Sequence, residues 1–164
     1  MTIGELNALD RAGFVDAIGW VFEESPWVAE RAFDDRPFAS LDALHAAMSE
    51  QVERAPFAEK LALLKAHPDL GARARLSDAS TSEQAGAGLD SLTPGEFEEL
   101  HRLNAAYRAR FGFPFLLAVK GSTKDDVLRA LQARMGATPE DEFREALRQV
   151  YRIAKFRMED LIGS

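Results

Sequence analysis

The sequence predicts an all-α protein, and three observations carry that reading. Apolar residues recur three and four positions apart along most of the 164 residues, the spacing that lines one face of a helix. Helix starts are marked repeatedly by a Ser, Thr or Asp cap, several with proline one position on. No hairpin signature separates two alternating apolar runs. The length suits one domain with a real core and falls short of two ordinary ones. A single compact multi-helix domain over residues 1–164, with at least seven helices, is therefore expected.

The elements follow in chain order. Asp10 is placed to cap a helix from Arg11 to about Glu24, with Phe14, Ile18 and Val21 on its inner face and Trp20 beside them. Ser25-Pro26 marks a second start, carrying Trp27, Glu30, Arg31 and Phe33. Residues 34–38 are a loop, and Ser40 caps a helix that buries Leu41, Leu44, Met48 and Val52. Pro56 opens a helix through Leu61, Leu64 and Lys65 that stops at His67-Pro68, because proline disfavours the α region for the residue before it and brings no N–H. From Asp69 to Asp90 large apolar side chains are scarce, so short turns are expected, with one short helix over 80–87 capped by Ser80. Thr93-Pro94-Gly95-Glu96 is a capping box for a helix with Phe97, Leu100, Leu103, Asn104 and Tyr107, stopping at Gly112. The apolar run Phe113–Val119 fits a buried strand or a buried irregular segment, and periodicity does not choose between them. Ser122 is the expected cap of a helix with Val127, Leu128 and Leu131 inward. Thr138-Pro139 starts the last helix, with Phe143, Leu147, Val150, Ile153, Ala154 and Leu161 on its apolar side.

Composition narrows the function. Hydrophobic residues make up 46% and charged residues 29%, a globular balance. A net charge of −7 makes nucleic acid or an anionic membrane an unexpected partner. There is no cysteine, which excludes disulfides and thiolate metal sites and fits a reducing compartment. The first residues show no basic region followed by an apolar run, so no signal peptide is expected. No apolar stretch approaches the ~18 residues of a membrane span.

The chemistry-bearing residues are few. His45 and His101 lie within helices and read as helix-face residues. His67 differs, since Pro68 holds it at a helix end; by itself the dipeptide fits a structural turn as well as a proton-handling site. The three histidines are scattered, and neither a His-Glu-x-x-His nor an Asp-rich calcium pattern is present, so no metal site is expected. There is no phosphate loop and no Gly-x-Ser-x-Gly elbow. Ser80, Glu83 and Gln84 share one helix face, either as a capping box with a solvated side or as donors and acceptors for a planar polar ligand. Arg157 sits at the edge of the last apolar stripe, either snorkelling or fixed to hold a carboxylate or carbonyl.

Several stretches together resemble the OHCU (2-oxo-4-hydroxy-4-carboxy-5-ureidoimidazoline) decarboxylase family of uric acid degradation. They are Leu6-Asn7, Glu24-Ser25-Pro26-Trp27, Arg36-Pro37-Phe38, Ala66-His67-Pro68-Asp69-Leu70-Gly71, Ser80-x-x-Glu83-Gln84 with Ala87-Gly88-Leu89, Asn104-x-x-Tyr107, Phe111-Gly112-Phe113-Pro114-Phe115, and the last helix with Arg157. Their order and spacing span nearly the whole chain. The resemblance implies an all-helical, cofactor-free homodimeric enzyme that converts OHCU to S-allantoin and carbon dioxide. It implies His67 as the catalytic histidine, for which we expect a general acid/base role, and Glu83 as a catalytic residue that also contacts substrate. It implies substrate contacts from Pro68, Ser80, Gln84 and Arg157, and from the backbone of Phe113, Phe115, Leu116 and Leu117. One departure is Ser82, where many relatives are expected to carry arginine. The composition and the lack of a Ser-Lys-Leu ending point to the cytoplasm. A helical binding module without catalysis is the alternative, and it predicts no turnover of OHCU.

Overall fold

The computed structural model describes residues 1–71 and 77–162. Those residues form nine α-helices and two short 3-10 turns, with no β-strand among them. They gather into two compact units: the chain up to Ala66 together with the residues from Val150 onward, and His67–Gln149.

In the first unit α1 (Ile3–Asn7) is a short turn of helix that sequence reasoning missed, capped by Thr2. Helix α2 (Arg11–Ile18) starts at Asp10 as expected, the Asp10 carboxylate accepting the Gly13 N–H at 2.8 Å. It ends six residues short of the expected Glu24 and passes into a 3-10 turn, Gly19–Val21. The reason lies in the neighbours Val21 and Phe22, both almost wholly buried. A continuing helix would turn one of them about 100° away from the other. Extended backbone at Phe22 lets both enter the core. Helix α3 (Trp27–Ala32) begins at Pro26 without a side-chain cap. Ser25 therefore does not cap it: its hydroxyl donates to the Glu23 carbonyl at 2.8 Å. Phe33 lies in a 3-10 turn with Asp34 and Asp35, just past the helix.

Helix α4 (Leu41–Glu53) is capped by Ser40 and buries Leu44, Met48 and Val52. Leu41 is only partly covered. Helix α5 (Phe57–Ala66) buries Leu63 and Leu64 and ends one residue before His67. Helices α3 and α4 pack side by side. Leu6, Phe14, Ile18, Val28, Leu44, Met48, Leu63 and Leu64 are fully buried, and each such side chain contributes about 1.5–3 kcal/mol of transfer free energy.

The second unit holds α6 (Asp78–Gly86), α7 (Pro94–Phe111) and α8 (Lys124–Arg134). Ser80 is not the cap of α6: Ser77 is, accepting the Ser80 N–H, which moves the start three residues toward the N-terminus. The capping box of Thr93 and Glu96 on α7 is as expected, and Gly112 ends that helix at φ 81°, a left-handed conformation that favours glycine. Residues 113–119 are irregular and, apart from a half-covered Leu117, buried. Helix α8 is capped by Thr123, one residue after the expected Ser122, because Asp126 lies three residues on and returns a bond to the Thr123 N–H. Helix α9 (Pro139–Ile162) starts at Thr138, whose hydroxyl accepts the Asp141 N–H at 3.2 Å, and runs through both units.

Candidate active site

His67 is the first residue of the second unit and is 5% exposed. Ala66 ends α5 and Pro68 cannot extend it, so the chain turns through Asp69 and Leu70 to Gly71 at φ 75°. A side chain at Gly71 would bring its Cβ to 2.4 Å from Leu100 Cδ2. Only glycine meets both demands.

Three side chains grip this turn. Gln84 Oε1, on α6, accepts the Gly71 N–H at 2.8 Å, and the bond is buried. Asn104 Nδ2, on α7, donates to the Leu70 carbonyl at 3.0 Å, also buried. Arg108, one turn beyond Asn104, reaches the Asp69 carboxylate at 3.1 Å near the surface. Ser80, Glu83 and Gln84 share one face of α6, with Ser80 and Gln84 buried and Glu83 half-covered. The Gln84 oxygen is thus engaged by the chain itself.

The segment 113–118 is fixed from α8 and α9. Arg134 donates through Nη1 to the Leu116 carbonyl and lies over the Phe115 ring at 4.5 Å. Its Nε meets Glu142 at 2.7 Å, and Tyr107 donates its hydroxyl to the same carboxylate. Burial and then the Glu142 carboxylate hold the Tyr107 phenol far above its ordinary range. Gln149 Oε1 accepts the Ala118 N–H at 3.0 Å. Of the backbone groups considered for a ligand, the Leu116 carbonyl is thus already engaged, while Phe113 and Phe115 pack against Tyr107 at 5.9 and 5.4 Å.

Arg157 belongs to the first unit. Only 2% exposed, it pairs through Nη1 with Glu23 Oε2 at 2.8 Å. It is buried and fixed, so the snorkelling alternative falls. His45 and His101 are helix-face residues as expected: His45 meets the Tyr151 carbonyl at 2.8 Å and His101 stacks on Phe97. Ser82 is exposed. Among the described residues, no group of three or more acidic or histidine side chains could hold a metal ion.

Sequence reasoning missed Glu23, Glu142 and Gln149 as buried polar partners and Arg134 as a partly buried one. Only spacing hinted at any of this, since Asn104 and Tyr107 fall on one face of α7.

Gripping one turn with buried amides sets polar groups where packing alone would place apolar ones. Such departures from local rules are expected at functional or strained sites, and the fold class is that of all-helical proteins. The sequence pattern of the OHCU decarboxylase family matches residues 7–159, and the chain belongs to that family. It is 48% identical to a 2-oxo-4-hydroxy-4-carboxy-5-ureidoimidazoline decarboxylase of Haloferax volcanii, over 100% of this chain and 98% of the relative. A uric acid degradation bifunctional protein of Bacillus subtilis is 47% identical over 98% of this chain, which spans 33% of that longer protein. The crystal structure of an (S)-allantoin synthase superposes with a TM-score of 0.83 at 37% identity, covering 100% of this chain and 55% of that one.

Proposed function

We propose that this chain removes carbon dioxide from OHCU to give S-allantoin in uric acid degradation, with His67 as general acid/base and no cofactor. The observation that carries the assignment of His67 is its burial at the head of a turn gripped from α6 and α7. The substrate supplies its own electron sink. The bond from C4 to the carboxylate breaks, its electron pair passes into the C5=N ring imine, whose nitrogen takes up a proton, and carbon dioxide leaves behind an enol across C4 and C5. The C4 hydroxyl then gives up its proton as the C4 carbonyl forms, and a proton is delivered to one face of C5. His67 handles the proton, a task suited to an imidazole near neutral pH. Glu83 and the Gln84 amide hold ureido and ring N–H and carbonyl groups, and Ser80 and Pro68 complete that wall. Arg157 holds an anionic or carbonyl oxygen, and the backbone of Phe113 to Leu117 closes the site. Fixed donors aimed at developing charge supply most of the rate gain.

A homodimer and a cytoplasmic setting complete the proposal. Trp20, 41% exposed, is an apolar side chain of the sort a partner subunit covers. Among the described residues no helix is long and apolar enough to cross a membrane. The net charge of −7 disfavours nucleic acid.

The deciding experiment generates the unstable substrate in situ from urate and follows allantoin by circular dichroism. Wild-type protein accelerates formation of one enantiomer, and His67→Ala abolishes both acceleration and stereoselectivity. A His67→Ala protein that keeps both removes His67 from the mechanism. A wild-type protein with no acceleration leaves the binding-module alternative.

A further inference from the structure

Both polar ends of a single peptide unit, Leu70–Gly71, are taken by side-chain amides from two different helices. Asn104 Nδ2 of α7 holds its carbonyl at 3.0 Å, and Gln84 Oε1 of α6 holds its N–H at 2.8 Å. A peptide unit is planar, so fixing its two ends fixes its orientation. Upstream, Pro68 locks its own φ and restricts His67. Between this lock and the fixed plane lie only Asp69 and Leu70. The backbone that carries the imidazole therefore has little freedom left.

Asn104 is an unusual choice for that position. It is 4% exposed, and its Oδ1 is buried with no hydrogen-bond partner among the described residues. An orphaned buried acceptor is costly, because it gives up its hydrogen bond to water and gains none in return. The fold carries that cost for the one bond Nδ2 makes. The Arg108–Asp69 pair does not substitute for it, because both side chains are a third or more exposed, and such pairs hold little.

We infer that Asn104 is a positioning residue for the decarboxylation: it sets the Leu70–Gly71 plane and through it the placement of His67. This rests on the proposed role of His67. The role predicts a loss in kcat, since Asn104 is assigned no contact with substrate and acts only through the geometry of the proton-handling group. Misplacing such a group by about 1 Å costs on the order of 100-fold in rate.

The test uses the full chain with labelled histidines. Two variants are made: Asn104→Leu, which removes the amide, and Asn104→Asp, which keeps its size but turns the donor into an acceptor facing the Leu70 carbonyl. The expected result is a fall in kcat on the order of 10–100-fold with KM within about twofold. The His67 ring resonance, assigned with His67→Gln, is displaced, while those of His45 and His101 stay in place as internal references. An unchanged kcat, or a His67 resonance that does not move in a folded variant, overturns the inference. If Asn104→Leu fails to fold, the near-isosteric Asp variant decides. If wild-type protein itself fails to turn over OHCU, the functional proposal has failed, and the His67 resonance alone then decides whether Asn104 positions the imidazole.

Discussion

Arg157 and Glu23 meet where water does not reach, Nη1 to Oε2 at 2.8 Å, with 3% and 5% of their side chains exposed. Such a pair is held together by mutual need. Each charge is costly to bury alone, and each removes most of that cost from the other.

Truncating the carboxylate should therefore hurt more than an ordinary substitution. Glu23→Ala leaves the guanidinium buried without its carboxylate and is expected to destabilise the fold by about 3–5 kcal/mol. The check is urea unfolding, read as a lower midpoint at an unchanged slope. Arg157→Gln keeps a donor in place and should act mainly on kcat/KM for OHCU. An unchanged kcat/KM in a folded Arg157→Gln protein would confine Arg157 to its pairing with Glu23.

Gly71 can be separated from glycines that only need a positive φ. Gly71→Ala combines a left-handed backbone at φ 75° with a Cβ 2.4 Å from Leu100 Cδ2 in the core. Gly88→Ala has φ 80° and nothing within 4 Å. The control should cost about 1 kcal/mol for backbone strain. Gly71→Ala should cost about 1–3 kcal/mol more for the forced shift of a packed leucine. Denaturant midpoints measure both. Equal losses would show that Leu100 yields freely.

The chain has two tyrosines, and both phenols are pushed up, by burial first and then by a hydrogen bond to Glu142 for Tyr107 and to Glu53 for Tyr151. Above about pH 10 a tyrosine ionises in the unfolded chain, while these stay protonated in the folded one. The unfolded state then binds fewer protons, so stability falls as pH rises beyond that point. Tyrosinate absorbance at 295 nm should accordingly appear in one step together with loss of helical circular dichroism. A smooth titration centred near pH 10 in the folded protein would contradict this.

Much of the helical framework was legible because its signals are local. Asp10, Ser40, Thr93 and Thr138 each cap the helix they precede, since a cap needs only its own side chain and an N–H two or three residues on. The misplacements share one cause. Where two hydroxyl residues compete, as at Ser77 and Ser80 or Ser122 and Thr123, the N3 position or the burial of one of them decides, and Ser80 is buried. His67, Ser80, Gln84 and Arg157 could be named from order and spacing, and all four prove buried. Glu23 and Glu142 could not, because the sequence is rich in acidic residues and says nothing of which ones leave the surface. Nor could it show that the Gln84 oxygen is engaged by Gly71, which depends on how α6 meets the turn.

The cluster of Tyr107, Arg134 and Glu142 sets a condition on how this chain can drift. Arg134 serves the Leu116 carbonyl and the Glu142 carboxylate together, and Tyr107 leans on that same carboxylate. Losing either charge strands the other at a cost of about 3–5 kcal/mol, against a total stability of about 5–15 kcal/mol for a natural domain. Stepwise replacement crosses a valley that few intermediates survive. The three positions should consequently be inherited as a block, and a natural variant lacking one of them should be found to have rebuilt the other two.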